Sequence, residues 1–67
     1  MVRLTVNGEE SRLEGVARLA DLIARLGLDA RKVAVELNLA IVPRSAYAAT
    51  ALADGDRIEI VHFIGGG

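Results

Sequence analysis

The run Gly65-Gly66-Gly67 closes this 67-residue sequence and is its part best suited to chemistry. At an ordinary glycine frequency of about 7%, three in a row at a given place have a chance of about 0.0003. An inert, frayed end or an engineered scar is the plain alternative. A glycine tether has no side chains, so its backbone can pass down a narrow tunnel. Three residues reach about 10 Å, enough to carry the Gly67 carboxylate into the active site of another protein. A carboxylate is a poor acyl donor until activated, and adenylation by ATP would make it a good one. The rest of the inventory is sparse. Cysteine is absent, so the chain offers no thiol nucleophile, thiolate ligand or disulfide. The single histidine, His62, makes neither a histidine-rich metal site nor a triad. Asp54-Gly55-Asp56 lacks the remaining ligands of a calcium loop and reads as a β-turn. Lys32 is the only lysine, which gives little support to self-conjugation into chains. No catalytic constellation and no metal set is expected of this chain itself.

The elements that must hold such a tail are built from a short, apolar chain. Sixty-seven residues make one domain at most. Apolar residues are 52% of it, and Tyr47 and Phe63 are the only aromatics, so the core must be aliphatic. A formal charge of −1 and a pI near 5.7 argue against a nucleic-acid binder. There is no long apolar run, and Arg3, Arg12 and Arg18 punctuate the start. Neither a signal peptide nor a membrane span is expected, and a cytoplasmic protein is the default.

Val2, Leu4 and Val6 alternate with Arg3 and Thr5 as a half-buried strand, and Asn7-Gly8 signals a hairpin. The return strand, about residues 9–14, is mostly polar with Leu13 as its anchor, and reads as an edge. Residues 16–26 take helical spacing, with Leu19, Leu22, Ile23 and Leu26 on one face and Gly27 as the stop. The helix start is weakly marked, because Gly15 is a mediocre cap. Val33, Val35 and Leu37 form one side of a further strand; Asn38 begins a turn, and Ile41-Val42 is a short strand closed by Pro43. Residues 44–51 suit a short helical turn. Residues 57–64 alternate again, with Ile58, Ile60 and Ile64 on one side.

The first and last strands are the most apolar, so both belong near the centre of the sheet. Four or five strands in a mixed sheet with one main helix packed across them make an α+β domain of β-grasp type over residues 1–64, with residues 65–67 as a flexible tail. If Ile58, Ile60 and Ile64 face the helix, Glu59, Val61 and Phe63 face away. Val61 and Phe63 then form an apolar patch on the open side of the sheet, just before the tail, and such a patch suggests docking. Sheet-face filler or a homodimer contact is the plain alternative.

A β-grasp domain ending in Gly-Gly resembles the ubiquitin-like sulfur carriers. Within that group it resembles most closely the sulfur carriers of bacterial thiamine biosynthesis, the partners of thiazole synthase. The resemblance covers essentially the whole chain. It is carried by Ile41-Val42-Pro43-Arg44, by the Asp54-Gly55-Asp56 turn and by the ending Ile58-Glu59-Ile60-Val61-His62-Phe63-Ile64-Gly65-Gly66-Gly67. Leu39-Ala40 departs from it, making the turn after Asn38 less polar than the family pattern. The resemblance implies a carrier that is a co-substrate, not an enzyme. An adenylating, E1-like partner would use ATP and Mg²⁺, neither bound by this chain, to form an acyl-adenylate at Gly67. A persulfide, ultimately from a cysteine desulfurase or another donor, would replace the adenylate and leave a thiocarboxylate. Thiazole synthase would accept that sulfur. Gly65 and Gly66 would be the tether, and Val61, Phe63 and Ile64 would help docking. A carrier for molybdopterin or tRNA thiolation, a β-grasp interaction module with an inert tail, and a protein modifier forming isopeptide bonds are the rival expectations.

Overall fold

Alternating apolar residues place β1 at Val2–Val6, and the Asn7-Gly8 turn returns the chain into β2, Glu9–Leu13. Both turn residues have positive φ, 50° and 85°, which Asn and Gly tolerate at little steric cost. The structure, a computed structural model, describes residues 1–63. The two strands pair antiparallel from Val2 opposite Leu13 to Val6 opposite Glu9. As expected of a charged edge, β2 has no partner on its far side among the described residues.

The helix α1 spans Leu19–Arg25, shorter at its start than the periodicity predicts. The reason is tertiary. Residues 16–18 are drawn into pairing with the segment before β5: the Leu19 N–H donates to the Thr50 carbonyl (2.9 Å) and the Leu52 N–H to the Ala17 carbonyl (2.9 Å). Arg18 is extended, with φ −124° and ψ 162°. Asp21, not a residue before the helix, caps it. Its carboxylate accepts from the backbone N–H of Arg18 (2.8 Å) and Ala17 (3.0 Å), and these bonds hold its pKa below the ordinary carboxylate value. Gly27, at φ 73°, ends the helix as expected. The Gly27 N–H donates to Ala24 (3.0 Å) and the Leu28 N–H to Ile23 (3.1 Å), the double bond of a Schellman turn. Leu26 sits at this cap and is exposed, so the buried helix face consists of Leu19, Leu22 and Ile23.

A 3₁₀ turn at Ala30–Lys32 leads into β3, Val33–Leu37, and a two-residue turn at Asn38 and Leu39 returns the chain into β4, Ala40–Val42. Pro43 closes β4, which lies at the other edge of the sheet. A second 3₁₀ turn, Arg44–Ala46, precedes β5, Arg57–His62. The last strand was expected to run to Ile64; its pairing with β3 stops at His62, where β3 begins at Val33.

The five strands are ordered β2-β1-β5-β3-β4. β5 is central, parallel to β1 and antiparallel to β3, which gives a mixed sheet with first and last strands inside. The helix covers one face. Leu4, Leu19, Leu22, Val35 and Ile58 form the fully buried centre of the core. Tyr47 joins them, with its hydroxyl donating to the Val33 carbonyl at 3.3 Å, although nothing in its local pattern marked it as core. This is the β-grasp architecture.

Candidate functional site

The site is built on β5, the strand that leads to the glycine run, and on the face of the sheet away from α1. Successive residues of a strand point to opposite faces. Ile58 and Ile60 are accordingly buried against the helix, while Val61 is 60% exposed. Phe63, just past the strand, is 53% exposed, and its N–H donates to the Lys32 carbonyl at 2.7 Å. Pairing across strands then decides their neighbours. Ala34 lies opposite Val61, Glu36 opposite Glu59, and Ile41 opposite Glu36. These side chains line a shallow depression of about 130 Å³.

The open face is therefore apolar at Ile41 and Val61 and acidic at Glu36 and Glu59, with the exposed Phe63 just beyond the end of β5. The two carboxylates are carried by directly opposed residues, an arrangement that destabilises a sheet slightly. Neither makes an ion pair among the described residues. The pairs there are Arg3–Glu10 at 4.0 Å and Arg31–Asp29 at 2.9 Å. The Arg31 guanidinium hydrogen-bonds Asp29 and holds its carboxyl down to about 2, at the turn leading into β3.

Three polar side chains hold the start of β5 in place. The Arg57 N–H donates to Asn38 Oδ1 (2.9 Å), and Asn38 Nδ2 donates to Asp56 Oδ1 (3.0 Å). Asp56 Oδ2 accepts from the Ala53 N–H (2.8 Å), and Asp54 Oδ1 from the Arg3 N–H (2.8 Å). The Asp56 carboxylate is thus spent on the turn and on Asn38, and the Asp54 carboxylate on tying the turn to β1. Among the described residues, no three His, Asp or Glu side chains gather as a metal site needs. No helix there is long and apolar enough to cross a membrane.

Of the residues singled out from sequence, Val61 and Phe63 are both exposed. Ile64, Gly65, Gly66 and Gly67 lie outside the described residues. Ala34, Glu36 and Ile41 join the face without having been anticipated. Ile41 sits in a three-residue strand, too short for its alternation to reveal which side it takes. A face of this kind suits recognition by another surface rather than chemistry of its own.

A family model for the ThiS family matches residues 4–67. The chain is 38% identical over 65 residues to the sulfur carrier protein ThiS of Bacillus subtilis, covering 96% of this chain and 98% of that one. It is similar to the crystal structure of a thiamine biosynthesis protein, ThiS, from Geobacter metallireducens. The TM-score is 0.82 at 39% identity, over 98% of this chain and 100% of that one. It is also 53% identical over 66 residues to the thiazole synthase of Paramagnetospirillum magneticum. That match takes in 98% of this chain and only 20% of the synthase, so the chain spans about one fifth of that relative's length.

Proposed function

We propose, from the premise that this chain belongs to the ThiS family, that it is a sulfur carrier of thiamine biosynthesis, acting as a co-substrate of partner enzymes. The observation that carries the reading is the near full-length similarity to a sulfur carrier, with the glycine run inside the matched residues 4–67.

In this proposal the Gly67 carboxylate is the reacting group. Attack of its oxygen on the α-phosphate of ATP, at an adenylating E1-like enzyme supplying Mg²⁺, releases pyrophosphate and forms the acyl-adenylate. A persulfide, formed with sulfur from a cysteine desulfurase or another donor, displaces AMP. Reduction of the resulting sulfur–sulfur bond by a thiol leaves the thiocarboxylate on Gly67. Thiazole synthase then takes the sulfur. Similarity to part of a thiazole synthase supports that acceptor. Gly65 and Gly66 serve as the tether, because a backbone without side chains passes where others clash. Val61, Phe63 and Ile64 contribute to docking, supported by the exposure of the first two. All acid, base and metal chemistry belongs to the partners.

The test is intact mass. Incubation with the adenylating enzyme, ATP and a sulfur donor should raise the mass by the difference between one sulfur and one oxygen, localised to the C-terminal peptide. Deleting Gly66 and Gly67 should abolish the gain and leave the melting temperature unchanged. Thiazole formation at full rate with the truncated carrier would overturn the proposal.

A further inference from the structure

We infer that Asn7 is a positioning residue for the tail: its carboxamide stands in for a missing strand residue beside β5 and holds that strand beyond the point where β1 turns away. β1 pairs with β5 over only two positions, Thr5 opposite Arg57 and Val6 opposite Ile58. At Asn7 the chain enters the hairpin turn. Its backbone N–H still donates to the Ile58 carbonyl at 2.8 Å. Two residues further along β5, the N–H and carbonyl of Ile60 point to the same side, where no strand residue remains to meet them. Leaving both unpaired in a part-buried setting would be costly.

The Asn7 side chain meets both. The Ile60 N–H donates to Asn7 Oδ1 at 2.7 Å, and Asn7 Nδ2 donates to the Ile60 carbonyl at 3.2 Å, between residues 53 apart in sequence. One donor and one acceptor on a single planar group copy what a backbone peptide would present. Aspartate has no donor, and serine has too short a reach to offer both. The same position requires a positive φ, 50°, which asparagine tolerates better than most residues. Asn7 therefore answers two independent demands, one from the turn and one from β5. Because β5 is the strand that continues toward Gly67, its fixation at Ile60 sets the anchor from which the tail departs. That consequence for sulfur transfer rests on the carrier reading above.

Two substitutions separate the demands. Asn7→Gly keeps the turn and removes both bonds to Ile60. Asn7→Asp keeps the shape and the acceptor but replaces the donor. Val42→Ala, on the far edge strand, serves as a reference of comparable destabilisation. In the full chain, amide exchange at Ile60 should quicken about tenfold in Asn7→Gly. Exchange at Leu4 and Val35 should stay within about twofold of wild type. With the adenylating enzyme, kcat for thiocarboxylate formation should fall about tenfold, with KM within about twofold, because the docking face is intact and the carboxylate is misplaced. Asn7→Asp should lie between Asn7→Gly and wild type, and Val42→Ala should leave kcat unchanged. Exchange that rises equally at all three amides, or a kcat equal to that of Val42→Ala, would overturn the inference. Should wild type itself take up no sulfur, the carrier reading falls and exchange at Ile60 alone decides whether Asn7 holds β5.

Discussion

Along β5, Ile58 and Ile60 are buried beneath α1, whereas Glu59 and Val61, each one residue away, stand in solvent. The same contrast runs through β3, where Val35 is buried and Ala34 and Glu36 are exposed. The two faces of one sheet thus meet opposite requirements with alternate residues of the same strands. On the covered face each buried aliphatic side chain contributes about 1.5–3 kcal/mol. That face concentrates the stability of the domain. The open face is consequently free to carry residues a stable fold does not need: apolar groups without cover and a pair of opposed carboxylates. Such residues are what a surface meant for recognition retains at small cost to folding.

The contrast breaks first if the covered face is not where the stability lies. Leu22→Ala should destabilise by about 2–5 kcal/mol, because it removes a fully buried helix residue facing the sheet. A domain of this size has only about 5 kcal/mol in total, so partial unfolding in dilute denaturant is the expected result. A change under about 0.5 kcal/mol in denaturant melts would mean that α1 contributes little.

A smaller effect sharpens the account of how the covering helix is started. The Asp21 carboxyl is held below its ordinary value by the Arg18 and Ala17 N–H groups. Its contribution is therefore complete above the unfolded-chain value of about 3.9 and is lost as pH falls through it toward the folded value. Asp29, held down to about 2 by Arg31, loses its contribution between about 4 and 2. Thermal midpoints should drop below about pH 4, and the drop should be shallower in Asp21→Asn than in wild type. Equal slopes in the two proteins would show that the cap carries no weight.

The smallest stability effects belong to the open face. Val61→Asp and Phe63→Asp should each alter stability by less than about 1 kcal/mol. On the proposed carrier reading, their affinity for the adenylating enzyme or thiazole synthase should weaken about tenfold or more, since a charge there must be desolvated on docking. Unfolding of either variant would place the side chain in the core and abolish the distinction between the faces.

Much of this arrangement was legible along the chain. The period-two patterns of β1, β3 and β5, the polar edge β2, the helix stop at Gly27 and the turns at Asn7-Gly8 and Asp54-Gly55-Asp56 are all marked by the types and spacing of residues close in sequence. Neighbouring residues suffice to express them. The alternation in β5 likewise assigned Val61 to the open side before any partner strand was known. Other features depend on which distant segments meet. The helix begins at Leu19 rather than near residue 16 because Ala17 and Leu19 are bonded to residues 50–52. Tyr47 is core because its segment folds back over Val33. Ile41 reaches the open face through its register with Glu36, and Asn7 grips a strand 53 residues away. Pairing register and side-chain bonds across the fold are set by the simultaneous packing of all five strands against one helix, and no local window of the sequence contains that information.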